Sequence, residues 1–148
     1  MLFRSVLILD GVQDPGNLGA ILRSAVAFNI KNVILSKDSV DLYNNKVLRS
    51  AQGMNFHLNV IRDDLEIVIN KLKDNNFTVY GTDVVNGIDI KDVQRVGKYA
   101  IIMGNEGNGI SEKVKALVDK NIYIDMNKNC ESLNVAVSAS IILYELNK

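Results

Sequence analysis

The sequence predicts an α/β domain on a mainly parallel sheet with helices on both faces, and three observations predict it. Short apolar runs alternate with helical patterns, the connections between the runs are too long for hairpins, and the first run, residues 5–12 (SVLILDGV), is apolar up to its Asp-Gly break. An uninterrupted run of that kind suits a strand covered on both faces of a parallel sheet. With 148 residues, 47% of them hydrophobic, one domain spanning 1–148 is the natural count. A chain of this length buries roughly 70% of its unfolded surface without needing staples.

The first strand breaks at Asp10-Gly11 into a glycine-rich turn. Asp14 is placed to cap a helix whose first position is Pro15, the only proline, where a fixed φ is favourable and no amide hydrogen is lost. The helix runs to about residue 29. Leu18, Ile21, Leu22 and Ala25 recur on its core face, while Gly16, Gly19, Ala20 and Arg23 form a second, nearly bare stripe. Two glycines early in a helix cost about 1 kcal/mol each against alanine, so something approaches that backbone closely. Arg23, at the end of the stripe, either meets a phosphate or ribose or is an ordinary surface arginine.

Residues 32–36 read as a second strand, 45–53 as a short helix or turn, and 58–61 as a third strand. Asp63 and Glu66 have the spacing of a capping box and open an amphipathic helix to about residue 74. Residues 77–85 form the fourth expected strand, with Gly81-Thr82 near its carboxyl end, where open parallel sheets place ligands. Residues 99–103 are the fifth, entering the loop Gly104-Asn105-Glu106-Gly107-Asn108-Gly109, after which Ser111 caps a helix to about residue 118. Ile122, Tyr123 and Ile124 close the sheet, a polar break follows at 127–129, and Ser132 is the expected cap of the last helix. In that helix Leu133, Ala136, Val137, Ser140, Ile141 and Tyr144 share one face, and further apolar residues cover much of the remainder. No polar face is left for water, which predicts burial against a partner subunit as well as against the sheet.

Composition narrows the function. Lys and Arg number 17 and so do Asp and Glu, so the formal charge is zero and there is no global footprint for nucleic acid. RNA binding then calls for a local patch, a dimer groove or a further domain. Lys46, Arg49 and Arg62 are either part of such a patch or a solvated face. One cysteine, Cys130, excludes an internal disulfide, and it is either a bystander or a lining residue of the nearby loop. One cysteine and one histidine, His57, make no recognisable metal site. No apolar run approaches the roughly 20 residues of a membrane span, and the first four residues lack the plan of a signal peptide, so the expected location is the cytoplasm.

Three loops after strands carry unusual residues: 10–19, 104–110 and 127–134. Gly11, Gly16 and Gly19 are wrongly spaced for a dinucleotide fingerprint, and no phosphate loop occurs. On its own, Glu106 is either a catalytic acid or ligand, or a solvated carboxylate; Ser132 has no neighbouring histidine base.

Taken together, the three loops resemble the three motifs of the SpoU-type, TrmH-like RNA ribose 2′-O-methyltransferases of the SPOUT superfamily. DPGNLGAILRSA is similar to the first, with Asn17, Gly19 and Arg23 on its signature positions; IIMGNEGNGIS to the second, with Gly104, Glu106 and Gly109; ESLNVAVSASI to the third, with Ser132, Leu133 and Asn134. Asp125 stands where the family usually has proline, and Asn129 where glycine is common. The resemblance implies a C-terminal deep trefoil knot that binds bent S-adenosylmethionine, a homodimer through the last helix, and methyl transfer to a ribose 2′-hydroxyl of structured RNA. Its motif style is closer to 23S ribosomal RNA enzymes than to transfer RNA enzymes. It also implies a reaction centre of Arg23, Asn17, Glu106, Ser132 and Asn134, with Arg23 reaching from the opposite subunit. The cofactor would lie against Gly104, Ile124 and Leu133, with Thr82 and Met126 nearby. Family members often carry an N-terminal RNA-binding domain, so the chain is expected to be either a minimal enzyme or a catalytic fragment. The competing expectation is a non-catalytic RNA-binding or ribosome-assembly module that keeps the fold.

Overall fold

The computed structural model describes residues 3–84 and 86–148; Met1, Leu2 and Val85, the last residue of the expected fourth strand, lie outside them. Seven strands are present among the described residues: β1 Ser5–Leu9, β2 Asn32–Leu35, β3 Asn59–Arg62, β4 Thr78–Thr82, β5 Ile88–Asp89, β6 Tyr99–Met103 and β7 Lys120–Tyr123. They form one sheet in the order β3-β2-β1-β6-β4-β7-β5, and all of the pairings are parallel. Five α-helices accompany them among the described residues, four between strands and one after β7: α1 Pro15–Ala27, α2 Asn45–Ala51, α3 Leu65–Asp74, α4 Glu112–Lys115 and α5 Val135–Leu146.

Period-two alternation along β1 and β6 sends residues to two separate cores. Leu7, Leu9 and Ile101 pack with Leu18 and Ile21 of α1 and Ile142 of α5 on one face. Val6, Ile8 and Ile102 pack with Ile69 and Leu72 of α3 and Val114 of α4 on the other. Helices therefore cover both faces, as the apolar first run predicts.

Several boundaries move, each for a visible reason. Asp14 caps α1 as expected, its side chain accepting from Asn17 N at 3.0 Å. The cap of α3 is Asp64, not Asp63: Asp64 Oδ1 accepts from Ile67 N, while Asp63 Oδ1 takes Asp64 N. Helix α4 stops at Lys115, short of 118, because the chain is already drawn to the sheet at Asp119, whose N donates to Val79 O and whose Oδ2 accepts Val79 N. Ser111 precedes α4 without a side-chain capping bond. At α5 the cap is Asn134 rather than Ser132; its Oδ1 accepts from Ala136 N and Val137 N, which leaves Leu133 outside the helix.

The order of strands has one consequence for the site. β4 and β5 are joined by residues 83–87, yet β7 lies between them. A Cβ on Gly87, which has φ +108°, would lie 2.1 Å from Asn121 O, and one on Gly81 would meet Asn121 Oδ1 at 2.7 Å. Both glycines admit the inserted strand.

A candidate active site where three loops meet

The three unusual loops converge at the carboxyl edge of the sheet. Glu106 is the centre of the contact: Oε2 accepts from Asp14 N at 2.7 Å and from Asn17 Nδ2 at 3.2 Å, and Oε1 accepts from Gln13 N at 3.2 Å. Asn17 Oδ1 in turn accepts from Asn134 Nδ2 at 2.9 Å, and Asn134 caps α5. One continuous hydrogen-bonded path thus links the loop after β1, the loop after β6 and the start of the last helix. Burial opposes ionisation of Glu106, but hydrogen bonds from the Asp14 amide, its own amide, the Gln13 amide and Asn17 outweigh it and hold the carboxyl below its ordinary range. The arrangement is that of an anion received by a ring of donors.

Two residues that sequence reasoning passed over brace this node. Asn105 Nδ2 donates to Gly11 O at 2.8 Å, and its Oδ1 accepts from Gly107 N and Asn108 N, an Asx-type turn that its glycine-flanked setting could have signalled. Asp10, only 7% exposed, accepts from Ser111 N at 2.8 Å. Beneath them Gly104 has no room for a side chain: a Cβ there would sit 2.3 Å from Gly109 C and 2.4 Å from Ile110 N. Gly19 has a comparable constraint, since its Cβ would fall 1.9 Å from Ser50 Oγ and 2.8 Å from Ala51 N. The close approach that the α1 glycines predict is made by α2.

The segment after β7 lines a cleft of about 580 Å³, with Tyr123, Ile124, Met126, Lys128, Cys130 and Glu131 among its walls. A smaller cavity of about 60 Å³ shares Ile124 and Met126 with it and adds Thr82, whose hydroxyl donates to Ile102 O at 3.0 Å. The structure therefore brings Thr82, Ile124 and Met126 together. Gly104 and Leu133 line neither space; Gly104 is buried at the crossing of its own loop, and Leu133 is half-buried. Ser132 is exposed, and its carbonyl accepts from Cys130 Sγ. Cys130 lines the cleft rather than standing aside from it.

Arg23 lies elsewhere. It is exposed on the face shared by α1 and α5, where it lines a shallow hollow with Ser24, Phe28 and Ser140; the Ser24 and Ser140 hydroxyls lie 2.6 Å apart. On the same face Tyr144 is 55% and Val137 47% exposed. Of the suspected basic patch, Arg62 is already engaged: its guanidinium donates to the carbonyls of Ser36, Ser39 and Val40 at 2.7–2.9 Å, bracing the loop after β2. Lys46 and Arg49 remain exposed on α2.

Residues 4–144 match the SpoU rRNA Methylase family. The 23S rRNA (guanosine(2553)-2′-O)-methyltransferase RlmP of Bacillus subtilis (strain 168) is 42% identical over 143 residues, which are 97% of this chain and 58% of that protein. Among solved structures, the SpoU methyltransferase AviRb from Streptomyces viridochromogenes in complex with the cofactor AdoMet superposes with a TM-score of 0.88 at 30% identity, over 95% of this chain and 56% of that one. An AdoMet-bound rRNA methyltransferase from Sinorhizobium meliloti superposes with a TM-score of 0.91 at 26% identity, over 97% and 55%. The chain thus spans between one half and three fifths of the length of these relatives.

Proposed function

The chain belongs to the SpoU rRNA methylase family, and from that premise we propose that it transfers a methyl group from S-adenosylmethionine to a ribose 2′-hydroxyl of structured RNA, most naturally 23S ribosomal RNA. The observation that carries this reading is the joining of Asn17, Glu106 and Asn134 into one hydrogen-bonded path, which ends on Asn134 three residues after the cleft-lining Glu131. The cleft fits the cofactor in size and chemistry: 580 Å³ falls inside the range of about 300–1,000 Å³ usual for such ligands, and Ile124, Met126 and Tyr123 offer apolar walls beside polar ones. Bound there, S-adenosylmethionine supplies a methyl already activated on a sulfonium. The node ties the loops after β1 and β6 to the start of α5, and so would hold an RNA oxygen in line with that methyl.

Arg23 is the residue expected to act on the ribose. A guanidinium with a pKa above about 12 is a poor base, so its part is to hold the adjacent phosphate and to stabilise charge developing on the oxygen, while water or a phosphate oxygen takes the proton. Its place on the α1/α5 face, away from the cleft-lining residues, supports a homodimer in which Arg23 of one protomer serves the partner's cleft. The exposed Val137 and Tyr144 supply the apolar contact for that dimer. The insertion of β7 between β4 and β5 supports the deep trefoil knot expected from the motifs. The reading places the enzyme in the cytoplasm with its RNA; no helix among the described residues is long and apolar enough to cross a membrane. It also leaves room for a further RNA-binding domain outside this chain.

The test is transfer of a labelled methyl from S-adenosylmethionine to ribosomal RNA from cells lacking this protein, followed by mapping of 2′-O-methylation. Wild type should label one ribose, and Arg23→Ala should lower the rate by roughly a hundredfold or more. Mixed dimers of Arg23→Ala and Asn134→Ala protomers should recover activity, because one of their two sites is intact. A chain that binds RNA but neither binds the cofactor nor labels any ribose would instead be an RNA-binding or assembly module.

A further inference from the structure

The cleft carries charges that the hydrogen-bonded node does not use. Asp125 and Glu131 both line it, both are exposed, and neither takes part in the three ion pairs seen among the described residues. Lys128 lines the same cleft and is likewise outside those pairs. Among this chain's own lining residues, two carboxylates therefore stand against one ammonium around a space of about 580 Å³, an excess of one negative charge before the partner's Arg23 is counted. Of the other walls, Val84, Tyr123, Ile124, Met126 and Asn127 contribute no formal charge to offset it. The carboxylates at the node are separate from this set, since Glu106 is turned toward the amides of Gln13 and Asp14.

Methyl transfer changes the charge of what such a cleft would hold. The S–CH₃ bond breaks with its electron pair kept on sulfur, a C–O bond forms at the ribose, and the hydroxyl proton passes to water or a phosphate oxygen. A positively charged sulfonium thereby becomes a neutral thioether, while the adenosine and the amino-acid end are unaltered. Resting on the cofactor reading above, we propose that Asp125 and Glu131 set the preference of the cleft for the charged methyl donor over its neutral product, and that Lys128 tempers that preference. The carboxylates attract the sulfonium before transfer and lose that attraction with it, so release of the spent cofactor is coupled to completion of the reaction. Donor and product differ by one methyl and one charge, so every contact common to both cancels in the ratio of their affinities. What remains is contact with the methyl and the field of the charged side chains at the sulfur, and of these only the field responds to neutralising Asp125, Glu131 or Lys128.

The experiment is titration calorimetry on the 148-residue chain with S-adenosylmethionine, S-adenosylhomocysteine and sinefungin, an analogue that carries an amine in place of the sulfonium centre. Asp125→Asn and Glu131→Gln should each lower the donor-to-product affinity ratio by about two- to fivefold, and the double variant by about tenfold, as expected for partly screened charges. Lys128→Gln should raise the ratio. Sinefungin should track the donor, and added salt should narrow the difference in wild type more than in the double variant. A ratio unmoved by all of these variants, or donor and product weakened in equal proportion, would overturn the proposal and leave the cofactor reading standing. Failure of all three ligands to bind the folded wild-type chain would overturn both.

Discussion

Around Glu106 the chain is tied across 89 to 93 residues of sequence, whereas in the stretch 127–132 its ties span two or three. Both regions sit at the same edge of the same sheet. At the node, each oxygen of Glu106 is received by donors from another loop, and Asn105 holds the loop to Gly11. In the cleft wall, Asn127 Oδ1 takes Asn129 N, Cys130 N donates to Asn127 O, and every residue from 127 to 132 is exposed. The difference teaches a division of labour: long-range bonds hold the node's geometry in place, while the locally bonded wall has fewer ties to resist displacement. A substitution on one side shows whether the other follows.

The largest effect should come from Gly104→Ala. The added Cβ meets backbone atoms at 2.3 and 2.4 Å, not the end of a flexible side chain, so the loop must open and carry Glu106 away from Gln13 and Asp14. A loss of about 3 kcal/mol in urea unfolding is expected, at the upper end for overpacking. If Gly104→Ala left both the unfolding midpoint and the amide exchange of Gln13 and Asp14 unchanged, the node would not be the rigid partner in this comparison.

The division also separates what the sequence could say from what it could not. Strand β6 is legible to the residue, because 99–103 is an apolar run bounded by Lys98 and Gly104. The start of α1 is equally plain from Asp14-Pro15. The two-residue strand β5 is too short to show any period, and it exists only because β7 lies beside it. At α5, Ser132 and Asn134 are both competent caps. The choice falls to Asn134, whose amide also reaches Asn17 117 residues away, a contact that no local pattern records. Glu106 illustrates the same limit: the second motif marks it as a site residue by resemblance, but its donors become visible only when the loops are assembled.

A middle-sized effect is expected from Glu106→Gln, read against pH. Because the folded carboxyl is held below its ordinary pKa of 4.5, its contribution to stability is present above that value and is lost as pH falls through the depressed one. The glutamine variant has no charge to lose and turns an amide NH₂ toward donors that need an acceptor. Wild type should therefore be the more stable of the two near neutrality, with the gap closing as pH drops below 4.5, which paired urea titrations across that window would show. A gap that stayed constant with pH would mean that the donor ring acts through shape and not through charge.

The smallest effect is expected on the other side, from Asn127→Ala. Its side chain supplies one acceptor, to Asn129 N at 2.8 Å, and water can take over that bond because both residues are exposed. Substitutions at such positions usually change stability by no more than about 0.5 kcal/mol. Protection of the Gln13 and Asp14 amides should be untouched, since no bond of the node passes through Asn127. The change should appear instead in the exchange of the Asn129 amide, which loses its acceptor, and in cofactor affinity, since Asn127 lines the cleft. If Asn127→Ala slowed or quickened exchange at Gln13 as much as at Asn129, the wall and the node would be one mechanical unit, and a preset half could not be separated from an adaptable one.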